Sequence, residues 1–136
     1  MNAPDLAAER AHTVQRWTQS VLDRSPDTSL VTHGFEYVQH FGSTEGIYVG
    51  IEGMERWIET FYEIWDRAHS ELESFRGAGD HLLATGRMFV VAGKTGIEVD
   101  ILGTSIVRFA EDGRIMRIDT YNEADDAHEA WEAVNA

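Results

Sequence analysis

The dipeptide Asp112-Gly113, set between two strand-like runs, constrains this chain more tightly than any other feature of it. Asp-Gly favours the two-residue type I′ turn, whose twist matches that of paired strands. Such a turn places Glu111 opposite Arg114, and the register follows by counting. Phe109 meets Met116, Arg108 meets Arg117, Val107 meets Ile118, Ile106 meets Asp119, Ser105 meets Thr120 and Gly103 meets Asn122. Side chains alternate along a strand, so Ser105, Val107, Met116, Ile118, Thr120 and Asn122 share one face, and Arg108, Arg117, Asp119 and Tyr121 share the other. Asp119 then neutralises two arginines instead of facing a pocket. A five-residue loop, Ala92 to Gly96, carries the count one strand further. It pairs Val91 with Ile97, Phe89 with Val99, Arg87 with Ile101 and Thr85 with Gly103, and brings Arg87 on to the Ser105/Thr120 face. A β-bulge would reverse that last assignment.

The rest of the chain divides by hydrophobic period. Between Pro4 and Arg24, Ala7, Ala11, Val14, Trp17 and Val21 recur every three or four residues and predict a helix that stops near Ser25-Pro26. The aromatic run Phe35 to Phe41, ending at Gly42, reads as a strand with faces Phe35/Tyr37/Gln39 and Glu36/Val38/His40. Met54, Trp57, Ile58, Phe61, Trp65 and Ala68 predict a second helix over Glu52 to Ala68. Four segments bounded by Gly and Asp turns, 69–77, 81–92, 97–110 and 114–122, predict an antiparallel meander. Ala127, Ala130, Trp131 and Val134 predict a last helix over Asp125 to Val134, with acids at its start. The expectation is one α+β domain spanning 1–136, with helices on the concave face of a curved, mostly antiparallel sheet and a pocket between the layers.

Charge excludes several partners. The 24 acidic and 11 basic side chains among 136 residues give a formal net charge of −13, which repels nucleic acids and anionic membranes. No run nears the roughly 18 apolar residues of a membrane span, and the MNAPDLAAER start lacks the pattern of a signal peptide, so a cytoplasmic protein is expected. The chain has no cysteine, hence no thiolate nucleophile or sulfur ligand. The scattered histidines and acids lack metal-site spacing, and neither a metal nor a cofactor is expected.

The inner-face residues are the candidate site. Arg87 among apolar neighbours calls for an anion, an enolate or a fixed carboxylate such as Glu36, and it is one candidate catalytic group. His40 is the other, because imidazole titrates near neutrality, although alternation sets it opposite Gln39. Tyr37, Gln39, Ser105, Thr120 and Asn122 are candidates for orienting a ligand's oxygen, with Trp17, Phe61, Trp65, Phe89 and Ile118 as apolar walls. On the outer face, Leu102, Ile106, Ile115 and Tyr121 sit among charges and suggest cover by a second copy, a homodimer through the sheet.

The chain resembles the SnoaL-like branch of the nuclear-transport-factor-2-like superfamily, which includes polyketide cyclases, ketosteroid isomerases and limonene epoxide hydrolase. The resemblance rests on the order of elements, on Tyr48-Val-Gly50 leading into Gly53-Met-Glu-Arg-Trp57, on Gly79-Asp80 opening a strand, and on Asp112-Gly-Arg-Ile-Met-Arg-Ile-Asp-Thr-Tyr121 before an Ala-rich helix. It implies a cone around a deep pocket and dimerisation through the sheet. It also implies that the isomerases' tyrosine position holds Trp17 and that their two acid positions fall near Gln39 and at Ser105. The hydrolase's aspartate-arginine-aspartate set would survive only as Arg87, with Phe89 and Thr120 in place of the acids. The implied function is a pocket for a small hydrophobic, oxygen-bearing molecule. It would serve either a cofactor-independent isomerase, cyclase, dehydratase or hydrolase working by proton transfer and oxyanion stabilisation, or a non-catalytic ligand-binding or interaction module that lacks the family's acids.

Overall fold

The computed structural model describes residues 3–41 and 44–135. Apart from the strand Thr44–Val49, its elements follow the predicted order: α1 (Ala3–Leu22), β1 (Val31–Phe41), β2 (Thr44–Val49), α2 (Gly50–Ile64), β3 (Trp65–Ala78), β4 (His81–Ala92), β5 (Glu98–Phe109), β6 (Ile115–Tyr121) and α3 (Ala124–Val134). Gly42, the expected end of the first strand, lies outside the described residues. The six strands form one curved, unclosed sheet in the order β2-β1-β6-β5-β4-β3. Every neighbouring pair is antiparallel except β1 and β6, where the first strand meets the last in parallel. The fold is the expected single α+β domain.

The core lies between the sheet's inner face and α1 and α2. Ala11, Val14, Trp17 and Val21 are buried along α1, as the helical stripe requires. Trp17 meets Phe35 of β1 edge-on, with ring centroids 5.2 Å apart, a favoured aromatic geometry. The helix ends in a left-handed residue, Arg24 (φ 62), whose guanidinium covers the ring of Tyr62, while the Tyr62 hydroxyl donates to the Leu22 carbonyl. That clamp ties α1 to α2. The start of α2 packs so closely on β2 that a Cβ at Gly53 would lie 2.8 Å from the carbonyl carbon of Tyr48, so this position admits only glycine.

Two expectations about elements need correction. The sequence pattern assigns no strand to Thr44–Val49 and takes only Tyr48-Val49 as a lead-in to the helix, yet the segment pairs with β1 from Phe41↔Thr44 to Glu36↔Val49. The second helix was also expected to run to Ala68, but it stops at Ile64. Trp65 and Ala68 begin β3 instead, because Trp65 to Ala68 gain ladder bonds to Val90, Val91 and Ala92 of β4. Tertiary pairing overrides the helical spacing there.

Two register details decide which side chains face inward. The Asp112 turn has a three-residue loop: Ala110 N–H donates to Arg114, Gly113 N–H donates to Ala110, and Gly113 takes the left-handed conformation at φ 89. Phe109 therefore pairs with Ile115, and Met116 is an extra bulged residue that restores the expected count from Arg108↔Arg117 onward. As a result Ile115, expected outside, is fully buried in the core, and Met116, expected inside, is exposed. Between β4 and β5 the loop has four residues, closed by bonds from Ala92 N–H to Ile97 and from Gly96 N–H to Ala92. The register moves by one, so Arg87 pairs with Leu102 and Ser105 with Ala84.

The third helix lies on the opposite face of the sheet from α1 and α2. Trp131 packs there with Leu83 and Ile106, flanked by Ala78, Tyr121 and Ala130. The apolar patch around Ile106 and Tyr121, assigned above to a second copy, is therefore covered by the chain's own C-terminal helix. Ile47, Val49 and Leu102 remain exposed. The bulge predicts an asymmetry that urea unfolding can measure. Ile115→Ala should destabilise by about 2–5 kcal/mol and Met116→Ala by less than about 0.5 kcal/mol, and equal costs would contradict the bulged register.

Candidate functional site

Alternation along the strands builds the site. The inner face carries Tyr37 and Gln39 of β1, Ile118 and Thr120 of β6, Ser105 and Gly103 of β5, and Ala84, Gly86 and Met88 of β4, in pairs set by the ladder. Between this wall and the helices lies a cavity of about 400 Å³, a size suited to a small organic ligand. Trp17, Tyr37, Gln39, Phe61, Trp65, Ser105, Ile118, Thr120 and Asn122 all touch it, as the sequence reading expected. Trp65 does so from a strand instead of a helix.

Phe89 does not line this cavity. The one-residue register change turns it to the outer face, where it stacks on His69. Arg87 turns the same way. It touches the cavity wall, but its guanidinium lies on the far side, 3.3 Å from Glu73 and 3.2 Å from Asp100. Glu73 follows inward-facing Leu72, so alternation sends it to that side, at a bulge before Ser74. The expected inward arginine is thus an outward one with two carboxylates of its own, neither of them Glu36.

His40 also lies on the outer face, opposite Gln39 as alternation requires. Its Nε2 is 2.9 Å from Asp119 Oδ1, and its ring stacks on Tyr121 at 4.5 Å. Asp119 in turn accepts two hydrogen bonds from Arg117, at 2.8 and 3.0 Å. Burial works to raise the Asp119 carboxyl pKa, but the hydrogen bonds from Arg117 and His40 outweigh it and hold the group below the ordinary aspartate value. The role read for Asp119 as a neutraliser holds, with Arg117 and His40 as its partners. Arg108 goes to Asp80 instead.

Inside the cavity the polar groups are neutral and form a line. Gln39 Nε2 donates to the Tyr37 hydroxyl at 3.4 Å, Gln39 pairs with Thr120 across the β1–β6 ladder, and Thr120 Oγ1 lies 2.9 Å from Ser105 Oγ. Burial raises the Tyr37 phenol above its ordinary value, with the neighbouring Gln39 and Thr120 side chains working against that rise. Tyr37 therefore stays protonated through the neutral range and acts as a donor, not a base. Around this line stand aromatic walls: Trp57 stacks on Phe61 at 4.7 Å and meets Tyr37 edge-on at 6.0 Å. Among the described residues no aspartate, glutamate or histidine lines the cavity, and no three such side chains gather as a metal site would need.

Sequence reasoning missed Tyr48, Met54, Trp57 and Met88 as cavity residues. The signal for Tyr48 was the short alternation Gly46-Ile47-Tyr48-Val49, which sends Tyr48 to the Tyr37 side. Met88 needed the correct loop length between β4 and β5.

Comparison with known proteins agrees with this architecture. The SnoaL-like domain family matches residues 6–118, while none of the curated proteins compared is a match by sequence. Among solved structures, TerC co-crystallised with polyporic acid superposes with a TM-score of 0.71 at 15% identity, over 88% of this chain and 95% of that one. A nuclear-transport-factor-2-like protein from Anabaena variabilis scores 0.69 at 14% identity, over 89% and 92%. SalBIII, an epoxide hydrolase/cyclase-like enzyme of pyran ring formation in the polyether salinomycin, scores 0.67 at 10% identity, over 88% and 94%. At these identities the likeness is one of fold.

The outer cluster yields a pH prediction. A carboxylate whose folded pKa is depressed stabilises fully above its unfolded value and loses that contribution as pH falls through the folded one. Asp119→Asn should therefore cost about 1–3 kcal/mol at pH 7 in urea unfolding, and the gap to the parent should close below about pH 4. A gap that persisted unchanged at pH 3 would contradict the pairing.

Proposed function

The chain belongs to the SnoaL-like domain family, and on that premise we propose that it binds a small, uncharged, hydrophobic molecule bearing one or two oxygens. The observation that carries this reading is the neutral row Tyr37–Gln39–Thr120–Ser105 set in an aromatic cavity without a carboxylate or imidazole among its described lining residues. An apolar wall supplies affinity by taking ligand surface out of water. A few fixed polar groups supply orientation. Tyr37 accepts from Gln39, which leaves its own proton for a ligand carbonyl or hydroxyl oxygen. An anionic ligand would enter this cavity without a counter-charge, since the Arg87 guanidinium is held by Glu73 and Asp100.

A catalytic reading is favoured by one observation, the hydroxyl pair Ser105–Thr120 beside the Tyr37 donor. In an intramolecular ring closure the substrate brings its own nucleophile, and the protein supplies proximity and a hydrogen bond to the developing oxyanion. The substrate's hydroxyl oxygen bonds to a carbonyl carbon, the carbonyl π electrons pass to its oxygen, and the hydroxyl proton travels to that oxygen along Thr120 and Ser105. Such a step needs no acid or base stronger than a hydroxyl. SalBIII has a role in pyran ring formation, and that ring formation enters here as support for the reading alone.

Tryptophan fluorescence titration tests the binding reading, because Trp17, Trp57 and Trp65 all face the cavity. An aromatic ketone should quench emission in a saturable way, and Tyr37→Phe should weaken its affinity by about 2- to 12-fold, the worth of one neutral hydrogen bond. Saturable binding that ignored Tyr37→Phe would remove the tyrosine from the site, and quenching that never saturated would end the small-molecule reading.

A further inference from the structure

Two glycines face each other in the cavity wall, and packing explains only one of them. Gly86 of β4 pairs with Gly103 of β5, and both line the cavity on the face that carries Ala84 and Ser105. A Cβ at Gly86 would lie 3.0 Å from the carbonyl oxygen of Glu71, so the close approach of β3 accounts for its missing side chain. A Cβ at Gly103 would meet nothing within 4 Å. Nor does Gly103 adopt a left-handed conformation, as Gly50, Gly79, Gly96 and Gly113 do. Glycine inside a strand weakens it through chain entropy and lost packing, and nothing in the fold requires that loss at position 103.

The space in front of Gly103 has definite neighbours. It adjoins Ser105, one residue pair along the same face, whose hydroxyl belongs to the polar line through Thr120. The helix side of the cavity is formed by Trp17, Trp57 and Phe61. With no side chain at either position, the Gly86–Gly103 pair leaves a bare strip of peptide, against which a flat ring can lie at van der Waals distance. A branched residue would fill that volume.

We propose that Gly103 is the specificity-determining residue of the cavity, leaving, with Gly86, a flat slot that admits the far end of a planar, uncharged multi-ring ligand whose oxygen is held at Tyr37 and Ser105. This inference rests on the ligand-binding reading and narrows it to a substrate class. Ligands with a single ring do not reach the slot. Ligands with two or three coplanar rings do, and they gain affinity from the apolar area they bury there. Substitution at position 103 thus acts on ligand length and leaves the hydrogen-bonding end alone.

The test uses three neutral ketones of increasing length, acetophenone, 2-acetylnaphthalene and 2-acetylanthracene, titrated into the full chain with tryptophan fluorescence as the readout. On the parent protein, affinity should rise along the series. Gly103→Val should weaken the three-ring ketone by at least about tenfold, the cost of overpacking a filled site, and leave acetophenone within about twofold. Gly103→Ala should give the same order at smaller size, and it decides the question if the valine variant does not fold. Gly34→Ala, in a strand position whose Cβ would also meet nothing within 4 Å but which does not line the cavity, should change none of the three. Equal weakening of all three ketones, or of none, in a Gly103 variant that melts like the parent would overturn the inference and leave the binding reading standing. Failure of every ketone to bind the parent would overturn both.

Discussion

The register of β5 against its two neighbours is the constraint on which the site depends. Side chains alternate with a period of two, so a slip of one residue exchanges every inward group for an outward one. Against β6 the pairing Ser105↔Thr120 and Val107↔Ile118 sends two hydroxyls and two aliphatic groups inward. Against β4 the four-residue loop sends Ala84, Gly86 and Met88 inward and Thr85, Arg87 and Phe89 outward. One more loop residue would have set a guanidinium in the cavity. The actual loop leaves the cavity neutral there, with Met88 opposite Ile101 where the arginine would have stood.

Charge on this sheet is gathered on the outer face and settled there. Arg87 lies between Glu73 and Asp100, Arg117 and His40 converge on Asp119, and Arg108 reaches Asp80. Burying a charge without a partner is expensive, and these pairings keep the charged groups out of the apolar interior. The exposed pairs contribute little to stability, whereas Asp119, largely withdrawn from solvent, depends on its two partners. The division of labour is physical: an outer face that pairs ions and an inner face of apolar and neutral polar groups. The C-terminal helix joins the outer side, where Trp131 shelters Leu83 and Ile106.

Much of this was legible in the sequence. Helical spacing located α1 and α3, turn residues bounded β4, β5 and β6, and counting from Asp112 gave the pairs from Arg108↔Arg117 to Ser105↔Thr120. The count survived although the turn was of another type, because the bulge at Met116 absorbed the extra loop residue. Other features were hidden by effects that no local pattern carries. The length of a hairpin loop such as Gly93 to Gly96 depends on how its closing bonds form, so the side taken by Arg87 and Phe89 could not be counted. Trp65 and Ala68 keep helical spacing, yet a partner strand claims them. Ile106 and Tyr121 signal a covered surface, for which a second copy is the expected cover, and α3 is the cover for that part. Of the expected cavity residues, those on β1, β5, β6 and the helices stand where periodicity put them, Trp65 lines the cavity from β3 instead of a helix, and the two that turn away, Arg87 and Phe89, are both on β4.

The central claim is that recognition in this cavity uses neutral groups alone. Its most direct measurement is the affinity of one uncharged aromatic ketone, followed by tryptophan fluorescence from pH 5 to pH 9. A cavity that binds through Tyr37, Gln39, Thr120 and Ser105, with the phenol protonated throughout, gives an affinity that does not change across that range. A sigmoidal change with a midpoint between about pH 6 and 7 would reveal an ionising group at the ligand, the behaviour of an inward histidine, and would contradict the account.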